Sequence, residues 1–333
     1  MMRIPDRAEL FRWIPPPAAE AVAGIVEQVL LMPLREFLAR PSKRFRAQLV
    51  LLGFHLARTG DELSDADRGR CERAAEVLEC LHAASLVVDD IQDGSASRRG
   101  GPALHAAHGV PTALNAGNWL YFWPLDGVRE WGLDADRENA VYRACHRALL
   151  QAHFGQAVDV GTGIDRVPWE NVRETVLAAI RLKSGALIGL AMGLGAILAG
   201  ADSGGVAALE SFGVEFGVAL QILDDAGNAS AKGKDDGKQF EDLRLRRPGW
   251  LWVVAAGLPG VARDGFRTAV EALPDETALR AWLSDFDALA IARHEASVRL
   301  EQALAHVPCA GESGGVARAE LAELTERLLS AYD

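Results

Sequence analysis

Residues Ser184 to Ala201 restrict what this chain can fold into more than any other segment. SGALIGLAMGLGAILAGA is eighteen residues long and carries no charge. That length touches the lower bound for a membrane-spanning helix. Five of the eighteen are Gly and five are Ala, so transfer into lipid gains little. Gly185, Gly189 and Gly193 recur every four residues, which on a helix makes a flat stripe that a second helix can approach closely. The expectation is a buried core helix and no membrane span.

The rest of the chain is helical in texture. Ala, Leu, Glu and Arg dominate, and alternating β-branched runs are missing. Ser64 or Asp65 can cap a long helix reaching about Gln92, along which Val77, Leu78, Leu81, Ala84, Ser85 and Val88 repeat at helical spacing. Further helices are expected over roughly 17–39, 43–57, 109–123, 134–160, 168–201, 203–226, 261–273, 287–306 and 315–331, with Pro33 kinking the first. The breaks at 94–102, 229–238 and 307–315 are too short and too unbiased for domain linkers, and no repeat is visible. Residues 1–333 are therefore expected to form one all-α domain with a bundled core.

Composition removes several classes. At 49% hydrophobic and 24% charged the chain is not a disordered one. Its four cysteines, Cys71, Cys80, Cys145 and Cys309, are scattered with no Cys-x-x-Cys pair, which argues against a disulfide scaffold and a zinc cluster and fits a reducing cytoplasm. A net charge of −11 disfavours nucleic acid while leaving room for a local basic pocket that takes a small anion. The opening MMRIPDRAELFRWIPPP carries charges and prolines and reads as no secretory signal.

Two acidic clusters each follow an apolar run. After ASLVV come Asp89, Asp90 and Asp93, with Asp89 and Asp93 four apart and so on one helix face. Three crowded carboxylates repel one another unless water or a cation relieves them. After FGVALQIL, where Gln221 lies, come Asp224, Asp225 and Asn228, and Asp224 and Asn228 are again four apart. Oxygen ligands at matched spacing on two helix ends suit Mg²⁺, which is usually completed by substrate phosphates. Cations accompany them: Lys43, Arg44 and Arg46; Arg98 and Arg99; Lys183 followed by Ser184; and Lys238. Guanidinium groups and helix N-termini bind phosphate oxygens well. Each cation alone reads as a surface charge, and acids beside bases also fit mutual salt bridges; a magnesium-clamped diphosphate explains both signs at once.

His82 precedes Asp89 by seven residues, about two turns, on nearly the same side. A core histidine and a phosphate ligand are both open readings for it. Trp119, Tyr121, Phe122 and Trp123 are ordinary core aromatics or a cavity wall. His105 and His108 have no third ligand nearby and read as loop or helix-end residues.

At these residues the chain resembles the trans-isoprenyl diphosphate synthases, the polyprenyl synthetase family. LHAASLVVDDIQDGSASRRGGPALHAAHG is similar to the first aspartate-rich region, and QILDDAGN to the second. PSKRFRAQLVLL resembles the G-G-K-R-x-R-P segment, KSGAL the K-T-x-x-L segment, and GKQFEDLRLRRP the G-K-x-x-x-D-L-x-x-x-K-P segment. The matches run in order over about residues 41–250. The resemblance implies a helical bundle of the isoprenoid synthase (class I terpenoid synthase) type, commonly a homodimer. It implies that Asp89 and Asp93 hold two Mg²⁺ and Asp224 a third, with Asp90, Asp225 and Asn228 in the same ligand sets. Arg98, Lys183, Ser184, Gln221 and Lys238 would bind the allylic diphosphate, and Lys43, Arg46, His82 and Arg99 isopentenyl diphosphate.

Departures accompany the match. Asn228 stands for the last Asp of the second region, Pro41-Ser42 for Gly-Gly, Ser184 for Thr, Arg247 for Lys and Gly249 for Thr, and LLSAYD lacks a basic tail. Small Ala83, Ala84 and Ser85 sit just before Asp89, where bulky aromatics in the family shorten the product. The expectation is a magnesium-dependent prenyltransferase making a longer linear diphosphate. The alternatives are a class I terpene cyclase on the same scaffold and a non-catalytic partner subunit.

Overall fold

The computed structural model describes residues 4–14, 19–41, 45–58, 63–230, 239–307 and 310–330. The chain divides into two compact units, one of residues 1–48 with 72–138, the other of 49–71 with 139–333.

The first unit opens with α1 (Arg7–Leu10), closed by a reciprocal cap. Asp6 Oδ1 accepts the Glu9 N–H at 3.0 Å, and Glu9 Oε2 accepts the Asp6 N–H at 2.9 Å. Next, α2 (Ala19–Val26) runs through a π turn at Glu27–Leu31 into α3 (Met32–Ala39). Pro33 has no N–H to give the preceding turn, and its ring crowds that turn's carbonyl. The wide turn directly ahead of it accommodates both, so the helix bulges where a kink was expected.

Helix α4 (Phe45–Ala57) and the long α5 (Asp65–Asp93) follow, each with residues in both units. Ser64 is the cap of α5, its Oγ accepting the Asp67 N–H at 3.1 Å. Beyond α5 a small hairpin pairs β1 (Ser97–Arg98) with β2 (Gly101–Pro102), turned by Arg99 and Gly100 at φ 53° and 75°. Then come α6 (Leu104–His108), α7 (Val110–Asp126) and a 3₁₀ turn at Gly127–Trp131. The unit's core joins Leu34 and Phe37 of α3, Ala84 and Val87 of α5, and Ala113 and Ala116 of α7. At Gly117 a Cβ would lie 3.1 Å from Val87, so α7 sits hard against α5.

In the second unit α8 (Ala135–Gly161) precedes α9 (Trp169–Ile180), a second π turn (Arg181–Gly185) and α10 (Ala186–Ala199). Helix α11 (Ser203–Ala229) packs along α10. The shorter helices α12 (Glu241–Arg244), α13 (Trp250–Ala256), α14 (Gly260–Glu271) and α15 (Thr277–Asp285) lead to α16 (Ala288–Ala305) and α17 (Gly311–Ser330).

The glycine stripe does what its spacing suggests. A Cβ at Gly189 would lie 3.0 Å from the Glu210 carbonyl of α11. Every residue from Ala186 to Leu198 is buried. Burying each Leu or Ile there is worth about 1.5–3 kcal/mol. Two stretches, Trp169–Ala199 and Ser203–Ala229, are long and apolar enough to cross a membrane, but 78% of the first one's most apolar window is covered by protein.

Candidate active site

In the first unit the hairpin sorts the three crowded carboxylates of α5. Asp90 turns fully inward and accepts the Arg98 Nε–H at 2.8 Å and a second bond from Arg98 Nη2. The Ser95 N–H, donating to the Asp90 carbonyl at 3.0 Å, ties the same stretch back to the helix. Asp89 and Asp93 stay half-buried, one turn apart. The sequence reading placed Asp90 in the metal's ligand set; in the structure its Oδ1 is engaged by Arg98, a cation at hand for a buried carboxylate.

A cationic group surrounds His82. Arg46 lies 4.0 Å from Glu79, too far for a hydrogen bond, and Arg46 Nε and Glu79 Oε1 are both buried without one. Burial, with Arg99 adding to it and Glu79 opposing, pulls the Arg46 guanidinium down to about 10. Arg99 and Arg40 both lie over the Phe37 ring, at 5.5 and 5.4 Å. Arg40 Nη1 also donates to the Pro102 carbonyl at 2.7 Å, bracing the hairpin. Burial and the charges of Arg46, Arg99 and Arg98 hold the His82 imidazole well below its usual range, hence neutral at pH 7. Positive charge thus accumulates there beyond what Glu79 relieves, the electrostatic condition for taking an anion. Lys43 and Arg44, read as part of this set, lie outside the described residues, as does Lys238.

In the second unit the cations are already answered. Lys183, in the π turn, donates to Asp159 Oδ2 at 2.8 Å. A Cβ at Gly155, one turn before Asp159, would lie 2.5 Å from the Lys183 backbone nitrogen, so only glycine lets α8 come this near. Ser184 Oγ donates to Gln221 Oε1 at 2.7 Å, Gln221 Nε2 to Asp225 Oδ1 at 2.9 Å, and the Trp250 N–H to Asp225 Oδ2 at 2.7 Å. Asp225 is pushed up to about 8, first by burial and then by Asp242, with Asp224 adding to it; the Gln221 and Trp250 bonds pull the other way. Asp224 is half-buried and Asn228 exposed, one turn apart on α11.

A polyprenyl synthetase family model matches residues 27–267. The chain belongs to the polyprenyl synthetase family. A geranylgeranyl pyrophosphate synthase of Geoglobus acetivorans is 31% identical over 89% of this chain and 88% of its own length. A terpene synthase of Matsumurasca onukii is 31% identical over 66% of each. Matches to three archaeal relatives span 56–68% of those proteins. The solved geranylgeranyl pyrophosphate synthase of Corynebacterium glutamicum, complexed with isoprenyl diphosphate and magnesium, superposes with TM-score 0.76 at 24% identity, covering 96% of this chain and 97% of that one. The all-α isoprenoid synthase fold expected from the motifs is the fold found.

Family membership sharpens the count of metal donors. Among the described residues no three His, Cys, Asp or Glu side chains group as a ready-made metal site. Asp90 is engaged by Arg98 and Asp225 by Gln221 and Trp250, while Asp89 with Asp93, and Asp224 with Asn228, lie one turn apart on their helices. That set fits magnesium, which takes one or two carboxylates and completes its shell with water and substrate phosphates. Sequence reasoning missed Glu79, Arg40, Tyr121 and Asp159 as neighbours of these groups.

Proposed function

We propose that the chain is a prenyltransferase that condenses an allylic diphosphate with isopentenyl diphosphate to give a longer linear isoprenyl diphosphate. One observation carries the reading beyond family membership. Arg46 and Arg99 gather beside a neutral His82, in addition to the Arg98 and Lys183 that the allylic diphosphate would take, and a reaction on one diphosphate alone does not need them.

In this reading Asp89 with Asp93, and Asp224 with Asn228, hold magnesium, three ions in all. When bound, magnesium supplies positive charge against the leaving diphosphate. Arg98, Lys183, Ser184, Gln221 and Lys238 orient the allylic diphosphate and offset charge as the allylic C–O bond breaks, its electron pair leaving with the diphosphate. Asp90 acts through Arg98 and Asp159 through Lys183, each fixing a cation in place. Lys43, Arg46, His82 and Arg99 hold the diphosphate of isopentenyl diphosphate, and the neutral imidazole donates a hydrogen bond without adding charge. The double bond of that substrate then attacks the allylic carbon. A proton leaves the resulting cation for the released diphosphate, which restores the double bond. Apolar walls keep water from the cation.

The same reading takes both units as one catalytic domain, acting as a homodimer. Exposed Val110, Leu114 and Phe122 on α7 support a covered face there. A cytoplasmic location goes with it: Cys71, Cys80 and Cys145 are buried thiols, and burial pushes the Cys145 thiol up to about 12. Cys309 lies outside the described residues.

The test is product analysis of the full chain with Mg²⁺ and each C10, C15 and C20 allylic diphosphate, with and without isopentenyl diphosphate. A longer diphosphate that forms only when both substrates are present is the expected result. Cyclic hydrocarbon or alcohol formed without isopentenyl diphosphate, the outcome that Asn228 and the terpene synthase relative would favour, overturns it.

A further inference from the structure

The π turn that carries Lys183 is tied down on both sides of that residue, and the two ties belong to one closed circuit of contacts within the second unit. On one side Arg181 Nη2 donates to Glu215 Oε1 of α11 at 2.8 Å, and Glu215 Oε2 accepts from Arg299 Nη1 of α16 at 3.3 Å. The Arg299 guanidinium lies 5.6 Å from the centre of the Trp250 ring at the start of α13. From Trp250 its backbone N–H, then Asp225, then the Gln221 amide lead back to the Ser184 hydroxyl on the same π turn.

Trp250 is where the circuit turns inward. The residue is fully buried, and its indole Nε1 has no hydrogen-bond partner among the described residues. Cations seat the indole instead. Arg173 lies over it at 5.5 Å, as Arg299 does, and Glu295 pairs with both guanidinium groups. Trp is the best ring partner for a cation, and more so away from water. Gly249, the N-cap of α13, has no side chain with which to accept the first N–H groups of the helix. Asp225 takes the Trp250 N–H from across the gap to α11. How the indole is seated therefore fixes where that N–H points and where Asp225 rests.

The consequence reaches Gln221. Ser184 donates to one end of its amide, and Asp225 accepts from the other. An amide turned over would set oxygen against oxygen at Asp225. We propose that Trp250 and Arg299 are positioning residues, which seat Asp225 and Gln221 so that the turn holding Lys183 and Ser184 presents both groups to the allylic diphosphate in one fixed arrangement. A π turn spaces its hydrogen bonds more widely than an α-helix, so this arrangement is held by contacts from outside the turn as well as within it. The choice of the allylic diphosphate as the ligand affected rests on the prenyl-transfer reading.

The experiment uses the full chain and a C15 allylic thiolodiphosphate, whose C–S bond resists ionisation, titrated calorimetrically with Mg²⁺ present. Arg299→Met keeps much of the side chain's length and removes its charge; Glu215→Gln breaks the circuit at a half-buried residue. Each should weaken thiolodiphosphate binding about fivefold, the scale of one cation–π or charge-assisted contact. Arg299→Lys, which keeps a cation for the indole, should lose less than Arg299→Met. In a Gln221→Met background the same changes should cost less than about twofold, because the path to Ser184 is already cut. Isopentenyl diphosphate, titrated in EDTA, should bind both variants as it binds the wild type. Thermal melts identify a variant that fails to fold, and the other then decides. Equal weakening toward both diphosphates, or losses that simply multiply with that of Gln221→Met, means a general structural role and overturns the proposal. So does thiolodiphosphate binding unchanged in both variants. Products of the wild type are analysed separately: elongation without the selective loss defeats the positioning role alone. Cyclic product formed without isopentenyl diphosphate, together with a loss that Gln221→Met abolishes, defeats the prenyl-transfer reading alone.

Discussion

The surroundings of His82 and those of Asp225 are opposites. Around His82, burial and then neighbouring guanidinium groups lower Arg46, Arg99 and the imidazole, which stays neutral, so the first unit gathers positive charge. Around Asp225, burial and then the charges of Asp242 and Asp224 raise its carboxyl, while Lys183 is bound to Asp159, so the second unit gathers negative charge. Charges of one sign confined together cost stability, and they persist where a ligand supplies the other sign. A diphosphate and a divalent metal are ligands of those two signs.

The largest effect tests the metal side. Asp89→Ala should lower kcat about a thousandfold, the scale of losing a preorganised charge at the reacting centre, while the melting temperature stays near wild type. Turnover within tenfold of wild type would remove Asp89 from the metal's ligands. Next comes the first unit's own ion pair. Arg98→Ala strands the fully buried Asp90 and should cost about 3–5 kcal/mol in urea unfolding. Asp90→Asn with Arg98→Ala together should cost clearly less than Arg98→Ala alone. If the double variant is no better, Asp90 is not the reason Arg98 is there.

The smallest effects carry the sharpest contrast, because the two regions should respond to pH with opposite sign. His82 has a folded value below its unfolded one, so below about pH 6.5 the unfolded chain binds the extra proton and stability falls as pH falls. Asp225 has a folded value of about 8 against an ordinary 3.8, so between them the native state holds the extra proton and stability falls as pH rises. Each slope is at most about 1.4 kcal/mol per pH unit. Urea unfolding of metal-free protein should show His82→Gln making stability fall more steeply with rising pH between 3.8 and 6.5, where the two slopes oppose, and Asp225→Asn removing the fall between 6.5 and about 8. Mg²⁺ should stabilise the wild type more at pH 8 than at pH 5.5. A single variant that removes both slopes would merge two regions that their opposite charge balance keeps apart.

How much of this the sequence disclosed follows from distance along the chain. The long helix α5, its cap at Ser64 and the Asp89–Asp93 face are local patterns and were legible. The pairing of Asp90 with Arg98 was not legible, because Arg98 reaches it only once a hairpin has folded back. Asp159 is 24 residues from Lys183, and nothing in either segment alone announces the pair. Helices α12, α13 and α15 are too short to establish a period of about 3.6 residues. The π turns at Glu27–Leu31 and Arg181–Gly185 add a residue to a turn without changing the composition that was read. The small residues Ala83 and Ala84 were legible as small; that they belong to the core with α7 required the structure.

The central claim is that the cationic group around His82 is a diphosphate seat in its own right. Isothermal titration of isopentenyl diphosphate into the full chain in EDTA tests it most directly. The account predicts binding without metal. Arg46→Gln should weaken it about tenfold or more, the scale of one charge-assisted hydrogen bond, and Asp224→Ala should leave it unchanged. Binding that appears only with Mg²⁺, or that ignores Arg46→Gln, would contradict it.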